Sequence, residues 1–339
     1  MDFHFNDPTL LMNSFRLLIG SARFFRGDDV VVVDEMNDYY DVDVKLKNLD
    51  ILRDKMLSLA DHGGPVVSVY KGDIADGEFM RSVFETERPG WVCHLAARAG
   101  VRYSIEDPYV YVHSNVEGTV RLMELSREYN VTNFVYASSS SVYGGSDSIL
   151  FSEEEPVDHP ISPYAATKKS VELLAYTWHH LYGLKTTGLR FFTVYGPRGR
   201  PDMAPFIFVD RVSRGRPINQ FGDGTTSRDY TYVDDIVNGV VRAVDRPYDY
   251  QVFNLGKGSG TKLSEFIHLV QVYTKKNATI NELPEQPGDV PYTCADVRKA
   301  KRLLGYEATI QFEEGIRRTV EWYESPDSVI AKSYEDDDE

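Results

Sequence analysis

The chain has 339 residues, 42% of them hydrophobic and 26% charged, enough to bury a large core as one α/β unit or as two lobes. A formal net charge of -15, with no basic block to offset it, argues against nucleic acid as a partner. The two cysteines, Cys93 and Cys294, lie too far apart to suggest a disulfide framework or a metal site, no run approaches the roughly 20 apolar residues of a membrane span, and the acidic start does not read as a signal peptide, so a cytoplasmic protein is expected.

Taken in order, Asp28 to Asp34 (DDVVVVD) is a β-branched run ending in an acid, the pattern of a buried parallel strand. In dinucleotide-binding folds an acid at that place binds the adenosine ribose hydroxyls and repels a 2′-phosphate, so Asp34 points to NAD rather than NADP. The bland alternative is a strand-end acid facing water. Val66 to Tyr70 reads as a further strand, followed by Gly72, Asp73 and Ile74, and Asp73 is a candidate cap for a helix beginning near Gly77. Trp91 to Ala96 reads as another strand. Its end, Leu95, Ala96 and Ala97, has the small residues that let a cofactor lie close. A helix is predicted from about Pro108 to Tyr129, with Val112, Val116, Val120, Leu122, Met123 and Leu125 on its apolar faces.

Phe134, Val135 and Tyr136 read as a buried strand that runs into Ser138, Ser139, Ser140 and Ser141. Pro163 and the apolar spacing of Val171, Leu173, Leu174 and Tyr176 then start a helix near Tyr164. Tyr164 and Lys168 share one face of it, where the ammonium lowers the phenol pKa from about 10 toward working pH. With Ser139 or Ser141 binding the same hydroxyl, the trio suits removal of a proton from a secondary alcohol while its hydride leaves for a nicotinamide. A lone YxxxK is usually a packed Tyr beside a solvated Lys. Here the serine run and a VYG turn precede it in one continuous unit.

Strands and helices alternate up to Arg190, which predicts a doubly wound parallel sheet of Rossmann type. From Thr193 the spacing loosens into a smaller mixed α/β substrate-binding lobe, so the expected boundaries are 1–192 for the cofactor domain, 193–327 for the lobe with some segments returning to the large domain, and 328–339 for a disordered acidic tail. Within the lobe Arg200 sits in GPRGRPDMAP, and a guanidinium is a natural carboxylate clamp. Helices are expected at Val233 to Val244, Leu263 to Thr274, Val297 to Leu304 and Phe312 to Glu324. The sequence holds no internal repeat and no metal-ligand constellation.

Four stretches carry a family resemblance: HLAARAGVRYSIEDP from His94, SSSSVYG through SPYAATKK from Ser138, RFFTVYGPRGRPDMAP from Arg190 and FGDGTTSRDYTYVDD from Phe221. From about Val30 to Tyr323 the chain resembles the extended short-chain dehydrogenase/reductase family, the NAD-dependent epimerases and dehydratases, and it is most similar to the UDP-glucuronate 4-epimerases. The resemblance implies that Tyr164 and Lys168 also touch NAD, that Asp73 and Ile74 flank the adenine, and that Arg102 lies on the substrate side. It implies a sugar-carboxylate site at Thr193 and Arg200, a diphosphate contact at Arg228 and a ribose or uracil contact at Asp289. Ser139 aligns with the serine of galactose epimerases and Ser141 with the threonine or serine of glucuronate epimerases. Arg98 stands where the family usually has Gln. A homodimer, paired through two helices of the larger domain, is likewise implied.

The family opens with a strand and GxxGxxG, whose glycines let the backbone approach a pyrophosphate at a helix N-terminus. This chain departs from that pattern. Counting back from Gly27 without a gap puts Leu10, Asn13 and Arg16 at the glycine positions; aligning Ile19-Gly20-Ser21 with the last glycine keeps Gly20 as a cofactor contact and puts Ser14 and Leu17 at the other two. A divergent or wrongly assigned N-terminus on an ordinary enzyme competes with a real loss of cofactor binding, and the intact downstream motifs favour the former.

The serine run bears on the reaction. Water-eliminating relatives carry Asp and Glu at Ser140 and Ser141, and decarboxylating ones carry Glu at Ser141. The resemblance thus implies oxidation of UDP-glucuronate at C4 by NAD, rotation of the 4-keto sugar, and hydride return to its other face to give UDP-galacturonate. Arg200 and Thr193 would restrain the carboxylate of this β-keto acid against loss of carbon dioxide. UDP-glucose 4-epimerisation, a non-catalytic nucleotide-sugar-binding protein and a reductase using free NAD(P)H are the alternatives.

Overall fold

In the computed structural model residues 9–12, 27–60, 65–285, 290–326 and 328 are described, with the main chain alone for 9–12, 52 and 55–60. The VVVVD run forms β2 (Val30–Asp34), and its four valines are all buried. Val30 and Val32 enter one hydrophobic cluster while Val31 and Val33 enter another. That is the consequence of period-2 alternation in a strand covered on both faces. β1 (Thr9–Met12) lies between β2 and β4 (Trp91–His94), with Thr9 opposite Val30 and Trp91 and Met12 opposite His94. Leu10 is therefore a strand residue, which overturns the gapless register and leaves the one in which Ser14, Leu17 and Gly20 follow the strand. Those three positions lie outside the described residues.

β3 (Val67–Lys71), β5 (Asn133–Ser139), β6 (Thr186–Phe191) and β7 (Tyr250–Leu255) complete an all-parallel sheet among the described residues, in the order β7-β6-β5-β4-β1-β2-β3. This is the predicted doubly wound sheet, whose order reverses about β1 and β4 and so opens a crevice at their C-terminal ends. On its flanks lie α1 (Val42–Ala60), α2 (Gly77–Glu87), α3 (Gly118–Glu128) and α4 (Pro163–Tyr182). The cap of α2 is Asp76, whose carboxylate accepts the Glu78 and Phe79 N–H groups at 3.1 and 3.0 Å. Asp73 instead accepts from Ala75 N at 2.9 Å and faces His113, which corrects the capping expectation.

The helix predicted from Pro108 to Tyr129 is broken into Pro108–Tyr111, a π-helical turn Val112–Glu117, and α3. Side-chain bonding accompanies the irregular turn. Asn115 Oδ1 accepts from Arg98 N at 2.8 Å, and its Nδ2 donates to Arg98 O and Thr167 Oγ1, both at 3.0 Å. Gly118 packs so closely that an added Cβ would stand 2.6 Å from the Ile74 side chain. α4 starts with Ser162 Oγ accepting Ala165 N and Pro163 at its first position, and stops at Gly183, whose φ of 71° favours glycine.

The remaining segments are short strand pairs, Thr193–Tyr195 with Tyr230–Tyr232, Ile218–Phe221 with Ile280–Leu283 and Ser227–Arg228 with Thr261–Lys262. Around them pack α5 (Ala204–Ser213), α6 (Val233–Asp245), α7 (Leu263–Thr274), α8 (Arg298–Leu304) and α9 (Phe312–Glu324), the last four within a residue of their expected bounds. Among the described residues no helix is long and apolar enough to cross a membrane.

Buried Asp229 ties these strands to the end of β7. Its carboxylate accepts from Lys257 N at 2.6 Å, Gly258 N at 2.9 Å, Ala295 N at 3.0 Å and Thr231 Oγ1 at 3.0 Å. Asp229→Ala strips several buried donors of their acceptor at once, and urea unfolding should show a loss of about 3 kcal/mol. A change below about 1 kcal/mol would mean that water replaces the carboxylate.

Candidate active site

Three adjoining cavities run along the crevice at the C-terminal ends of the strands. The first is lined by Asp34, Lys45, Asp73, Ile74, Ala96 and Ala97. The second, of about 300 Å³, is lined by Leu95, Ala97, Ser139, Ser141, Tyr164 and Lys168. Arg102, Phe221, Arg228 and Tyr230 line the third, of about 730 Å³. Arg200 borders the first and second, and Thr193 the second and third. Every candidate site residue within the described part of the chain thus faces one crevice; Gly20 and Asp289 lie outside the described residues.

The centre is built by β5 and α4. Ser139 ends the strand and caps the 3-10 turn Ser140–Tyr143, its Oγ accepting Ser141 N at 3.1 Å with Ser141 Oγ also 3.1 Å away. The same hydroxyl lies near enough to the Tyr164 phenol to favour its ionised form. Lys168 Nζ donates to Ala137 O at 2.8 Å and lies 5.9 Å from the Tyr164 ring centroid. Burial pushes the phenol above its ordinary value, opposed by the nearby Ser139 hydroxyl and the Arg200 charge. Burial also takes Lys168 down to about 8. The expectation that Lys168 lowers the Tyr164 pKa is thereby corrected, since the opposing influences come from Ser139 and Arg200 while the ammonium binds a backbone carbonyl. Behind this centre His94 is buried and brought down to about 3 by desolvation and the Lys168 charge, so it is a neutral ring beside Thr119, 2.8 Å away.

Arg200 is held differently from a free clamp. Asp202 takes it bidentately, with Nε to Oδ1 at 3.0 Å and Nη2 to Oδ2 at 2.5 Å, and Nη2 also reaches Ala99 O at 3.4 Å. Its guanidinium lies 5.6 Å from the Tyr39 ring centroid, and the Tyr39 hydroxyl donates to Asp202 at 3.3 Å. In the outer cavity Arg102 covers the Phe221 ring at 4.7 Å and Arg228 Nη1 donates to Ser227 O at 3.0 Å.

The first cavity fits the adenosine end of a dinucleotide. Asp34 stands at the end of β2 with Oδ1 accepting Met36 N at 2.5 Å, and Ala96 and Ala97 offer a flat wall. Arg98 meets Glu35 at 3.2 Å, and Lys45 Nζ donates to Asn37 O at 2.6 Å. Asp202, Glu35, Asn115, Glu172 and Arg190 were not legible as site or supporting residues. The sequence signals available were the two-residue spacing of Asp202 from Arg200 and the helical spacing of Glu172 from Lys168.

The family model described as GDP-mannose 4,6 dehydratase matches residues 27–319. A UDP-glucuronate 4-epimerase of Thermodesulfobacterium geofontis is 44% identical over 305 residues, 90% of this chain and 91% of that protein. UDP-glucuronate 4-epimerase 4 of Arabidopsis thaliana is 42% identical, over 90% of this chain and 72% of the relative. Among solved structures, a UDP-glucuronic acid 4-epimerase from Bacillus cereus, in complex with UDP-glucuronic acid and NAD, superimposes with a TM-score of 0.82 at 29% identity, covering 93% of this chain and 98% of that one. A UDP-glucose 4-epimerase from Thermotoga maritima with UDP-glucose gives 0.82 at 32% identity, over 93% and 98%.

Because Lys168 falls from 10.5 to about 8 on folding, the unfolded chain binds more protons between those values and stability rises with pH across that window. At pH 7 and below the full cost, about 3 kcal/mol, is present. Lys168→Met should therefore be more stable than the wild type at pH 7, with the gap shrinking toward pH 10. Parallel stability curves in chemical unfolding at pH 7, 8.5 and 10 would contradict this.

Proposed function

From the premise that this chain belongs to the GDP-mannose 4,6 dehydratase family, among the extended short-chain dehydrogenase/reductase epimerases, we propose that it catalyses NAD-dependent 4-epimerisation of a UDP-sugar, UDP-glucuronate to UDP-galacturonate. The observation that carries this is the convergence of Ser139, Tyr164, Lys168, Thr193 and Arg200 on one cavity in which positions 140 and 141 are serines. A dehydratase needs acidic groups beside the hydroxyl to move water, and the serines supply none.

Bound NAD supplies the hydride acceptor and donor. Asp34 binds its adenosine ribose, Asp73 and Ile74 flank its adenine, and Lys168 with Tyr164 meets its nicotinamide end. Tyr164 takes the proton of the sugar C4 hydroxyl and later returns it, while Ser139 steadies that oxygen and Ser141 sits beside it. Lys168, its ammonium held by Ala137 O at 2.8 Å, keeps a positive charge beside the phenol and the nicotinamide end. Thr193 and Arg200 hold the sugar carboxylate in place against decarboxylation. Arg102 and Arg228 neutralise the diphosphate in the outer cavity, and residues 193–327 form most of this substrate side.

A second reading is 4-epimerisation of UDP-glucose, favoured by one observation: Asp202 already neutralises Arg200. The homodimer is part of the proposal. Tyr109 and Val112 are 84% and 53% exposed beside α4, which itself exposes Leu173 and Tyr176 at 57% and 52%, a paired apolar surface on two neighbouring helical segments.

Incubation of the purified protein with NAD and UDP-glucuronate should yield UDP-galacturonate. Arg200→Met should lower kcat/KM for UDP-glucuronate by about 100-fold and that for UDP-glucose by at least about tenfold less, the shared part of the fall reflecting the Arg200 charge on the Tyr164 phenol; an equal fall for both sugars rejects the carboxylate role, and turnover of UDP-glucose alone selects the second reading. For the dimer, Leu173→Asp combined with Tyr109→Asp should halve the mass measured by light scattering. A wild type that is monomeric at micromolar concentration would rule the pairing out.

A further inference from the structure

Behind the cavity lies a charged pair that the chemistry above does not use. Glu172 and Arg190 are 2% and 3% exposed, on α4 and β6. Arg190 Nε and Nη2 both meet the Glu172 carboxylate at 2.8 Å. Glu172 Oε1 also accepts from Ser138 Oγ at 2.6 Å. On the other side Arg190 Nη1 donates to the Tyr143 hydroxyl at 3.0 Å, and that hydroxyl donates to Asn254 Oδ1 at 2.7 Å. The network therefore grips both flanks of the Ser139–Ser141 segment, Ser138 before it and Tyr143 after it.

Its placement on α4 matters. Tyr164, Lys168 and Glu172 follow one another at four-residue steps along one row of the helix. Two of them bond consecutive residues of β5, Lys168 to Ala137 O and Glu172 to Ser138 Oγ, and the Tyr164 phenol lies near Ser139, the next residue. A slide or tilt of the helix against the strand would break both bonds and move the phenol off Ser139. A buried ion pair is a weak device for stability, because desolvation offsets its attraction and apolar residues of the same volume pack as well. Directional bonds to a chosen register are what an apolar pair would not supply.

We propose that Glu172 and Arg190 are positioning residues for the reaction, acting through Ser138 and Tyr143 to hold Ser139 and Ser141 in register with the Tyr164 phenol. The turnover readout rests on the epimerase reading above; the phenol readout does not.

The test uses the full chain with NAD and the variants Ser138→Ala, Glu172→Gln and the double substitution. Turnover of UDP-glucuronate is measured together with titration of the Tyr164 phenol by tyrosine-labelled NMR, assigned through Tyr164→Phe. Each single variant should lower kcat about tenfold with KM within about twofold, and the double variant should be no slower than the slower single one. The Tyr164 titration should move to higher pH, because the nearby Ser139 hydroxyl that favours phenolate is displaced. Ser138→Ala leaves the ion pair in place, so it decides the matter even where Glu172→Gln unfolds. A Ser138→Ala protein with unchanged kcat and an unchanged phenol titration overturns the proposal. A wild type that leaves UDP-glucuronate untouched counts against the substrate, and the phenol titration then decides the positioning role by itself.

Discussion

Lys168 is a buried ammonium whose described hydrogen bond goes to a neutral backbone carbonyl, that of Ala137. Burying a cation without a carboxylate on it is unfavourable, and the fold bears this as a lowered proton affinity of the amine. The outcome is an amine brought near neutral pH beside a phenol pushed the other way by the same burial. The same burial thus drives the two proton affinities apart, so that of the pair the amine gives up its proton first as pH rises. The crevice order follows from this centre, since β5 ends there and the cavities open on either side.

The charge distribution supports an anionic guest despite the overall balance. A chain of net charge -15 concentrates Arg102, Arg200 and Arg228 along one crevice, while the acids Asp34 and Glu35 line its first cavity. Net charge describes the long-range field, and side chains within a few ångströms decide what a cavity accepts. Asp202 is the counterexample inside the crevice. It satisfies Arg200 in place, so under the proposed carboxylate role of Arg200 an incoming carboxylate competes with one already there.

Local sequence carried a large part of the site. Tyr164 and Lys168 share a face because helical spacing dictates it, and Asp34 ends a strand because four valines leave no other conformation so well packed. Other features were not legible for identifiable reasons. The π-helical turn at Val112–Glu117 accompanies Asn115 bonds to Arg98 and Thr167, residues that apolar periodicity does not register. Asp76 rather than Asp73 caps α2 because it directly precedes Gly77 and its carboxylate reaches the Glu78 and Phe79 N–H groups, whereas Asp73 turns to Ala75 N and His113. Leu10 belongs to a strand on account of its partners in β2 and β4, whereas spacing from Gly27 had placed it in a loop.

What the sequence determined by itself was the alternation of elements, the parallel sheet and the residue types brought to its C-terminal edge, since these depend on periodicity and turn chemistry within a few residues. Which charge meets which was decided by tertiary structure alone. Lys168 turns to Ala137 and Arg190 to Glu172 because an ion pair or a buried hydrogen bond depends on distance and on exclusion of water, and both arise here only when a strand and a helix apart in the chain are packed together.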